Sequence, residues 1–311
     1  MTHVLDADLE AFLALPAADT RGWHELTVAE ARQRCRDDAP VCAGPGDQTV
    51  VARAGTADAG SGPVRIRTYR PHRAGGDLPL VVYIHGGGFV IGDLDTHDAV
   101  CRDLVAAGGF ALLALDYGLS PEHRFPQVPA QCADVLTWTR QHARSLGADP
   151  ERIAVAGDSA GGNLAAAACL LLRDRGLGPP RFQLLIYPVT DLTMSCASVH
   201  QAPQDYGLSA ADLAWFYEHY LGPGGDPRDP YGSVLFADVA GLPPAHVITV
   251  EHDPLLDEGE AYAEALAAAG VAVTTGRYPG LVHGSFEMSA VVPAARGLLQ
   301  DAARTLARAL A

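Results

Sequence analysis

The chain has 311 residues, 48% hydrophobic and 19% charged, the balance of a globular protein with a large core. Its 37 acidic against 22 basic residues give a formal net charge of -15 at pH 7, which argues against nucleic acid or an anionic membrane as partner, since either needs a basic face. The length exceeds an average domain, yet α/β proteins reach it around one sheet.

The N-terminal stretch Met1–Glu10 is acidic and has no basic segment followed by an apolar one, so no signal peptide is expected. The longest apolar stretch, Leu164–Leu172, falls far short of the roughly 20 residues that span a bilayer, so no membrane span is expected either. Cys35, Cys42, Cys101, Cys132, Cys169 and Cys196 are scattered without a Cys-x-x-Cys pair, and several fall within helical apolar patterns. Buried free thiols in a reducing compartment are therefore expected, with the cytoplasm as the default location. A Cys35–Cys42 disulfide is the unsupported alternative.

In chain order, residues 1–45 read as helices joined by a polar, proline-interrupted connection. Thr49–Arg53 and Val64–Tyr69 alternate apolar with polar residues around a glycine-rich turn, which predicts an antiparallel hairpin at a sheet edge. From there the pattern changes. Leu80–Ile84, Ala111–Leu115, Ile153–Ala156, Phe182–Ile186 and His246–Val250 are short, nearly continuous apolar runs. Helical spacing fills 97–107, 127–146 and 160–174 between them, so the class is α/β, with a parallel sheet covered on both faces. A last βα unit is read from Val271–Val273 to a helix at 290–310. Residues 195–230 interrupt this rhythm with a helix over Ser209–Leu221, in which Ser209 is the N-cap and Asp212 an acid of the first turn. Its dense aromatics read first as an amphipathic core face, although an insertion over the C-terminal edge of a parallel sheet is also where an acyl-binding lid belongs.

The chemistry concentrates in Gly157-Asp158-Ser159-Ala160-Gly161, which follows the strand at Ile153–Ala156 and runs directly into an apolar helix. Strand, Gly-x-Ser-x-Gly and helix describe a nucleophile elbow, a turn so tight that the flanking positions must lack side chains and the serine hydroxyl is pushed above the sheet edge. Upstream, His85-Gly86-Gly87-Gly88 follows the strand at Leu80–Ile84. Three glycines let backbone amides face a reacting carbonyl, whereas a nucleotide-binding loop would need the lysine and Ser/Thr that are missing here.

With both motifs present, the chain resembles the hormone-sensitive-lipase-like family of α/β-hydrolase esterases, in its bacterial branch with a Gly-Asp-Ser-Ala-Gly elbow. Asp116–Pro126 is similar to the family's Asp-Tyr-Arg-Leu-Ala-Pro-Glu stretch, and Gly241–Pro244 and Asp253–Gly259 extend the resemblance over nearly all of residues 45–290. The resemblance implies an α/β-hydrolase fold: an eight-stranded, mostly parallel sheet with helices on both faces and a helical cap. It also implies hydrolysis of short-chain acyl esters, a small-molecule ester as partner, and no metal or organic cofactor. The family often forms homodimers. The expected division is a catalytic domain at 46–194 and 226–311 under a cap at 1–45 and 195–225.

The fold imposes the chain order Ser, then Asp or Glu, then His. After Ser159, three carboxyls compete behind the strand at His246–Val250: Glu251, Asp253 and Asp257. Asp253 matches the family position and precedes a proline, while Glu251 still belongs to the strand and Asp257 opens the next helix. Beyond Asp253 the sequence holds a single histidine, His283, which is the expected base, with Asp253 fixing its tautomer. His252 points away from its neighbour on extended backbone and reads as structural, as does His85. The oxyanion hole is expected from Gly86, Gly87, Gly88 and Ala160, with Gly86 chiefly shaping the turn.

Two positions depart from the family pattern. Ser285 follows His283-Gly284 where phenylalanine is usual, with Phe286 one residue later, and Gly118 stands where arginine is common. An acyltransferase, amidase or lactonase would use the same triad. A non-catalytic receptor on this fold would have lost a triad member, and none is lost here.

Overall fold

A computed structural model describes residues 4–16, 19–72, 74–202 and 206–311. Met1–His3, and residues 17–18 and 203–205 of the expected cap, lie outside them. Two helices come first: α1 (Ala7–Leu13), capped by the Asp6 side chain, and α2 (Val28–Ala43), opened by a capping box between Thr27 and Glu30. The long hairpin of β1 (Val50–Ala59) and β2 (Gly62–Pro71) follows. The βα rhythm then runs through β3 (Leu78–Ile84), α3 (Asp98–Gly108), β4 (Ala111–Leu115), α4 (Gln127–His142), β5 (Ala148–Asp158), α5 (Ala160–Asp174) and β6 (Phe182–Ile186). An insertion carries α6 (Ala197–Gln201) and α7 (Ala210–Leu221). The chain closes with β7 (Ala245–His252), α8 (Leu256–Ala268), β8 (Val273–Val282) and α9 (Pro293–Ala309).

One eight-stranded sheet has the order β1-β2-β4-β3-β5-β6-β7-β8. β2 is antiparallel to both its neighbours and every other pairing is parallel, as expected. The continuous apolar runs have a simple cause. Alternate residues of each strand enter two different cores, so both faces must be apolar. Leu80, Val82 and Ile84 of β3 join one core with α4, α5 and α8, whereas Val81 and Tyr83 join the other with α3 and α9.

Two expectations need correction. The hairpin strands run on through Ala59 and Gly62, well past the stretch legible in the sequence, because residues such as Gly55 and Ala57 have little strand propensity and are held by pairing with β2. The last strand begins at Val273, two residues after the start expected at Val271, and continues to Val282 in register with β7. The six cysteines are free; Cys35 and Cys42 sit seven residues apart on α2, about 10 Å along the helix, beyond the reach of a disulfide. Cys101, Cys132 and Cys169 are buried, and the other three are partly so.

No helix among the described residues is long and apolar enough to cross a membrane. The inserted helix α7 starts as its sequence predicts: the Asp212 amide donates to Ser209 Oγ, and the Asp212 carboxyl accepts from the Ser209 amide and hydroxyl at 2.9 and 2.7 Å. Ser209→Ala should therefore lower stability by about 1 kcal/mol, read as a shift of the urea midpoint at constant slope. An unmoved midpoint would show that the cap does not carry the start of α7.

Candidate active site

β5 ends at Asp158 and α5 begins at Ala160, so a single residue turns the chain from strand to helix. That residue, Ser159, has φ 54 and ψ -120, a conformation that L residues avoid at a penalty of roughly 1–3 kcal/mol. The flanking glycines explain how the turn closes. A Cβ on Gly157 would collide with the Gly161 carbonyl, and one on Gly161 would collide with the carbonyl oxygen of Ile84 on the adjacent strand. The Ser159 amide donates to Ile186 O on the far side (2.8 Å), and its carbonyl accepts from the amides of Asn163 and Val189. The strained residue is thus held by β6 and α5 together, with its side chain at the C-terminal edge of the sheet.

His283 follows directly on β8 and reaches that side chain. Its Nε2 lies 2.8 Å from Ser159 Oγ and its Nδ1 lies 2.9 Å from Asp253 Oδ2. Asp253, directly after β7, is buried, and its other oxygen accepts the Leu255 amide at 2.8 Å, which fixes the carboxyl plane. Because a carboxyl facing Nδ1 keeps the ring proton on that nitrogen, Nε2 presents its lone pair to the serine. Glu251 and Asp257, the competing carboxyls, are engaged elsewhere: Glu251 accepts the Gly280 amide at 2.9 Å, and Asp257 accepts the Ser198 amide at 2.8 Å. His252 is buried, its ring meeting that of Tyr206 in a T-shaped contact.

The glycine loop after β3 lies beside the elbow. Gly87 and Gly88 have φ 108 and 56, and their amides donate to no group among the described residues. The Ala160 amide lies in the first turn of α5, where a helix leaves its amides without partners. Gly86 differs. Its amide donates to Asp158 Oδ1 at 3.0 Å, so of the three glycines expected in the oxyanion hole it is the one whose donor is taken. His85 holds the loop from behind: its Nδ1–H donates to Gly86 O (2.8 Å), its ring stacks on Tyr117 (4.3 Å between centroids), and burial with His97 nearby lowers its pKa to about 4.

A serine, a histidine and a carboxyl in hydrogen-bond series, set above the parallel strands of this sheet beside a glycine loop, meet their counterpart in known proteins. A sequence model for the alpha/beta hydrolase fold matches residues 81–287. The chain belongs to the α/β-hydrolase family. Its likeness to hormone-sensitive-lipase-like esterases, read from the motifs, holds along nearly the whole length of this α/β hydrolase. It is 37% identical over 300 residues to an ethyl acetate hydrolase of Pseudomonas putida, covering 93% of this chain and 94% of the relative. It is 43% identical over 256 residues to the carboxylesterase NlhH of Mycobacterium tuberculosis, covering 79% of each. Among solved structures, a thermostable esterase from Pseudomonas putida superposes with a TM-score of 0.95 at 34% identity, over 100% of this chain and 99% of that one.

Both departures from the family pattern are accounted for in this α/β hydrolase. Phe286 is fully buried in the core on the α9 side, and the ring beside His283 is instead that of Tyr187, 4.6 Å away between centroids. Tyr187 leaves β6 with φ 35 and was not singled out in the sequence, where a tyrosine before a proline gives no sign of a left-handed backbone. At Gly118 the space a side chain would use is filled by the His123 ring, and the amide donates to Gln131 Oε1 at 2.8 Å.

The insertion reaches the glycine loop. The Phe216 ring of α7 occupies the space where Gly88 would carry a Cβ, and Phe89 stacks on Tyr220 at 3.8 Å with planes 5° apart. Gly88→Ala should therefore displace the loop and lower kcat/KM on the order of 100-fold, as for loss of one oxyanion donor. Equal kcat/KM for variant and parent would show that this loop does not serve the reacting centre.

Proposed function

We propose that the protein is a serine carboxylic-ester hydrolase for short-chain acyl esters, with Ser159 as nucleophile, His283 as general base and acid, and Asp253 as the group that orients it. The unbroken series from Ser159 Oγ through His283 to Asp253, with both links under 3 Å, carries this reading. The named esterases among its relatives support it. Ser159 Oγ attacks the ester carbonyl carbon while His283 Nε2 takes its proton. The carbonyl oxygen becomes an oxyanion within reach of the Gly87, Gly88 and Ala160 amides. As the tetrahedral species collapses, the carbon–oxygen bond to the alcohol breaks and His283 returns the proton to the departing oxygen, leaving an acyl group on Ser159. Water repeats the sequence: His283 takes its proton, the carboxylic acid departs, and Ser159 regains its hydrogen.

Residues 1–45 and 195–225 act in this proposal as the cap over a catalytic domain at 46–194 and 226–311. Supporting contacts come from both segments. Arg32 of α2 donates to the carbonyls of Val90 and Ser120 beside the glycine loop, at 2.9 and 3.0 Å. Trp23 approaches Phe216 of α7 at 6.3 Å between rings, and the Asp212 carboxyl accepts the His24 amide at 3.0 Å. The six free thiols suit a reducing cytoplasm, and β8 at the sheet edge suits pairing of two chains, which light scattering would read.

Ser159→Ala should reduce hydrolysis of p-nitrophenyl butyrate by a factor on the order of 10^6, and an organophosphate should label the parent protein at Ser159 alone. Full activity in the variant would end the assignment. Turnover across an acyl-chain series, with that variant as blank, tests the preference for short chains.

A further inference from the structure

Beside the elbow, at the residue preceding Ser159, lies a cluster the hydrolytic steps do not use. His97 and Asp158 are 3% and 1% exposed, and Glu287, on the turn Ser285–Glu287 after His283, is partly exposed. His97 Nε2 stands 3.7 Å from Asp158 Oδ2 and 3.6 Å from Glu287 Oε2. Neither His97 Nε2 nor Asp158 Oδ2 has a hydrogen-bond partner among the described residues. The other oxygen of Asp158 is occupied, accepting from the Tyr83 hydroxyl at 2.6 Å and the Gly86 amide at 3.0 Å.

The proton on His97 can be placed from its neighbours. Thr96 Oγ accepts the Asp93 amide at 2.9 Å and lies 2.9 Å from the Asp93 carbonyl, which can only accept. The single hydroxyl proton therefore goes to that carbonyl, and His97 Nδ1 donates to Thr96 Oγ at 2.9 Å. Nε2 then faces two carboxyl oxygens. A bare lone pair there would bring three acceptors together in a buried site, whereas a second ring proton places one cation between two acids.

We propose that His97 is a positioning residue that joins the three catalytic segments into one unit. Through Asp158 it holds the residue next to Ser159 and, by way of the Gly86 amide, the glycine loop; through Glu287 it holds the turn that follows His283. The charged groups around it agree. Burial alone would lower its pKa, but Glu287 on that turn, Asp158 at the end of β5 and Asp93 on its own loop raise it to about 9. His85, 5.3 Å away between ring centroids, is kept uncharged, and Tyr83 (6.4 Å) donates its hydroxyl to Asp158. Since the folded-state pKa is raised, the contribution of His97 is complete below its ordinary value and lost as pH rises through about 9.

The inference rests on the ester-hydrolase reading, but one arm of its test needs no turnover. Parent, His97→Gln and Glu287→Gln would be assayed with p-nitrophenyl butyrate and melted between pH 6 and pH 11. His97→Gln should lower kcat roughly tenfold or more with KM within about twofold. It should also lack the parent's fall in kcat and melting temperature near pH 9. Glu287→Gln, on a partly exposed side chain and so expected to fold, should shift that fall to lower pH, because one of the two acids holding the proton is gone. Ser159→Ala, inactive but with the cluster intact, should keep the alkaline fall in melting temperature, so that failure of the catalytic assignment is seen separately. The proposal is overturned if His97→Gln keeps the parent's kcat. It is equally overturned if both variants keep its alkaline fall unmoved, or if purified protein carries one equivalent of a divalent metal that His97→Gln lacks.

Discussion

Everything at this site depends on a backbone constraint one residue long. A parallel strand and a buried helix meet at Ser159, with φ 54, and the turn closes only because Gly157 and Gly161 carry no side chain against each other and against Ile84. Such strain persists only where the surroundings over-determine it. Here the Ser159 amide is bonded to β6, its carbonyl is bonded to two further amides, and α5 behind it is buried along nearly its whole length. The same turn that exposes the hydroxyl also brings the first amide of α5 beside it. In the proposed mechanism, nucleophile and oxyanion donor are consequences of one local geometry.

The second dependency runs through Asp158. Its oxygens are divided between the glycine loop and Tyr83 on one side and His97 on the other. A carboxyl this deeply buried requires partners for both oxygens and for its charge. The glycine loop is thereby attached to the elbow by a hydrogen bond, independently of the strand pairing between β3 and β5. The elbow, the glycine loop and the turn after His283 follow three different strands, β5, β3 and β8, and Asp158, His97 and Glu287 lie among them.

Much of this was legible in the sequence because it is local. The elbow, the glycine loop, the capped start of α7 and the continuous apolar strands all depend on residues close together in the chain. The triad was legible for another reason: the fold constrains its order, and only one histidine follows Asp253. What remained hidden depends on contacts between distant residues. The engagement of the Gly86 amide by Asp158 spans 72 positions. Tyr187 reaches His283 only because β6 turns into a left-handed residue, and the full length of β8 is dictated by its pairing with β7 rather than by its own composition. Composition at Gly118 suggested a missing charge, where the structure shows a space already taken by His123.

The stacking of Phe89 on Tyr220 and the packing of Phe216 on Gly88 mean that the inserted helix buttresses the glycine loop. A change in α7 that removes either contact also frees the backbone of the glycine loop to move. The inserted segment and the glycine loop are therefore mechanically linked through one helix. On the proposed mechanism, trimming Phe216 or Tyr220 would slow the chemical step unless the glycine loop were braced from another direction.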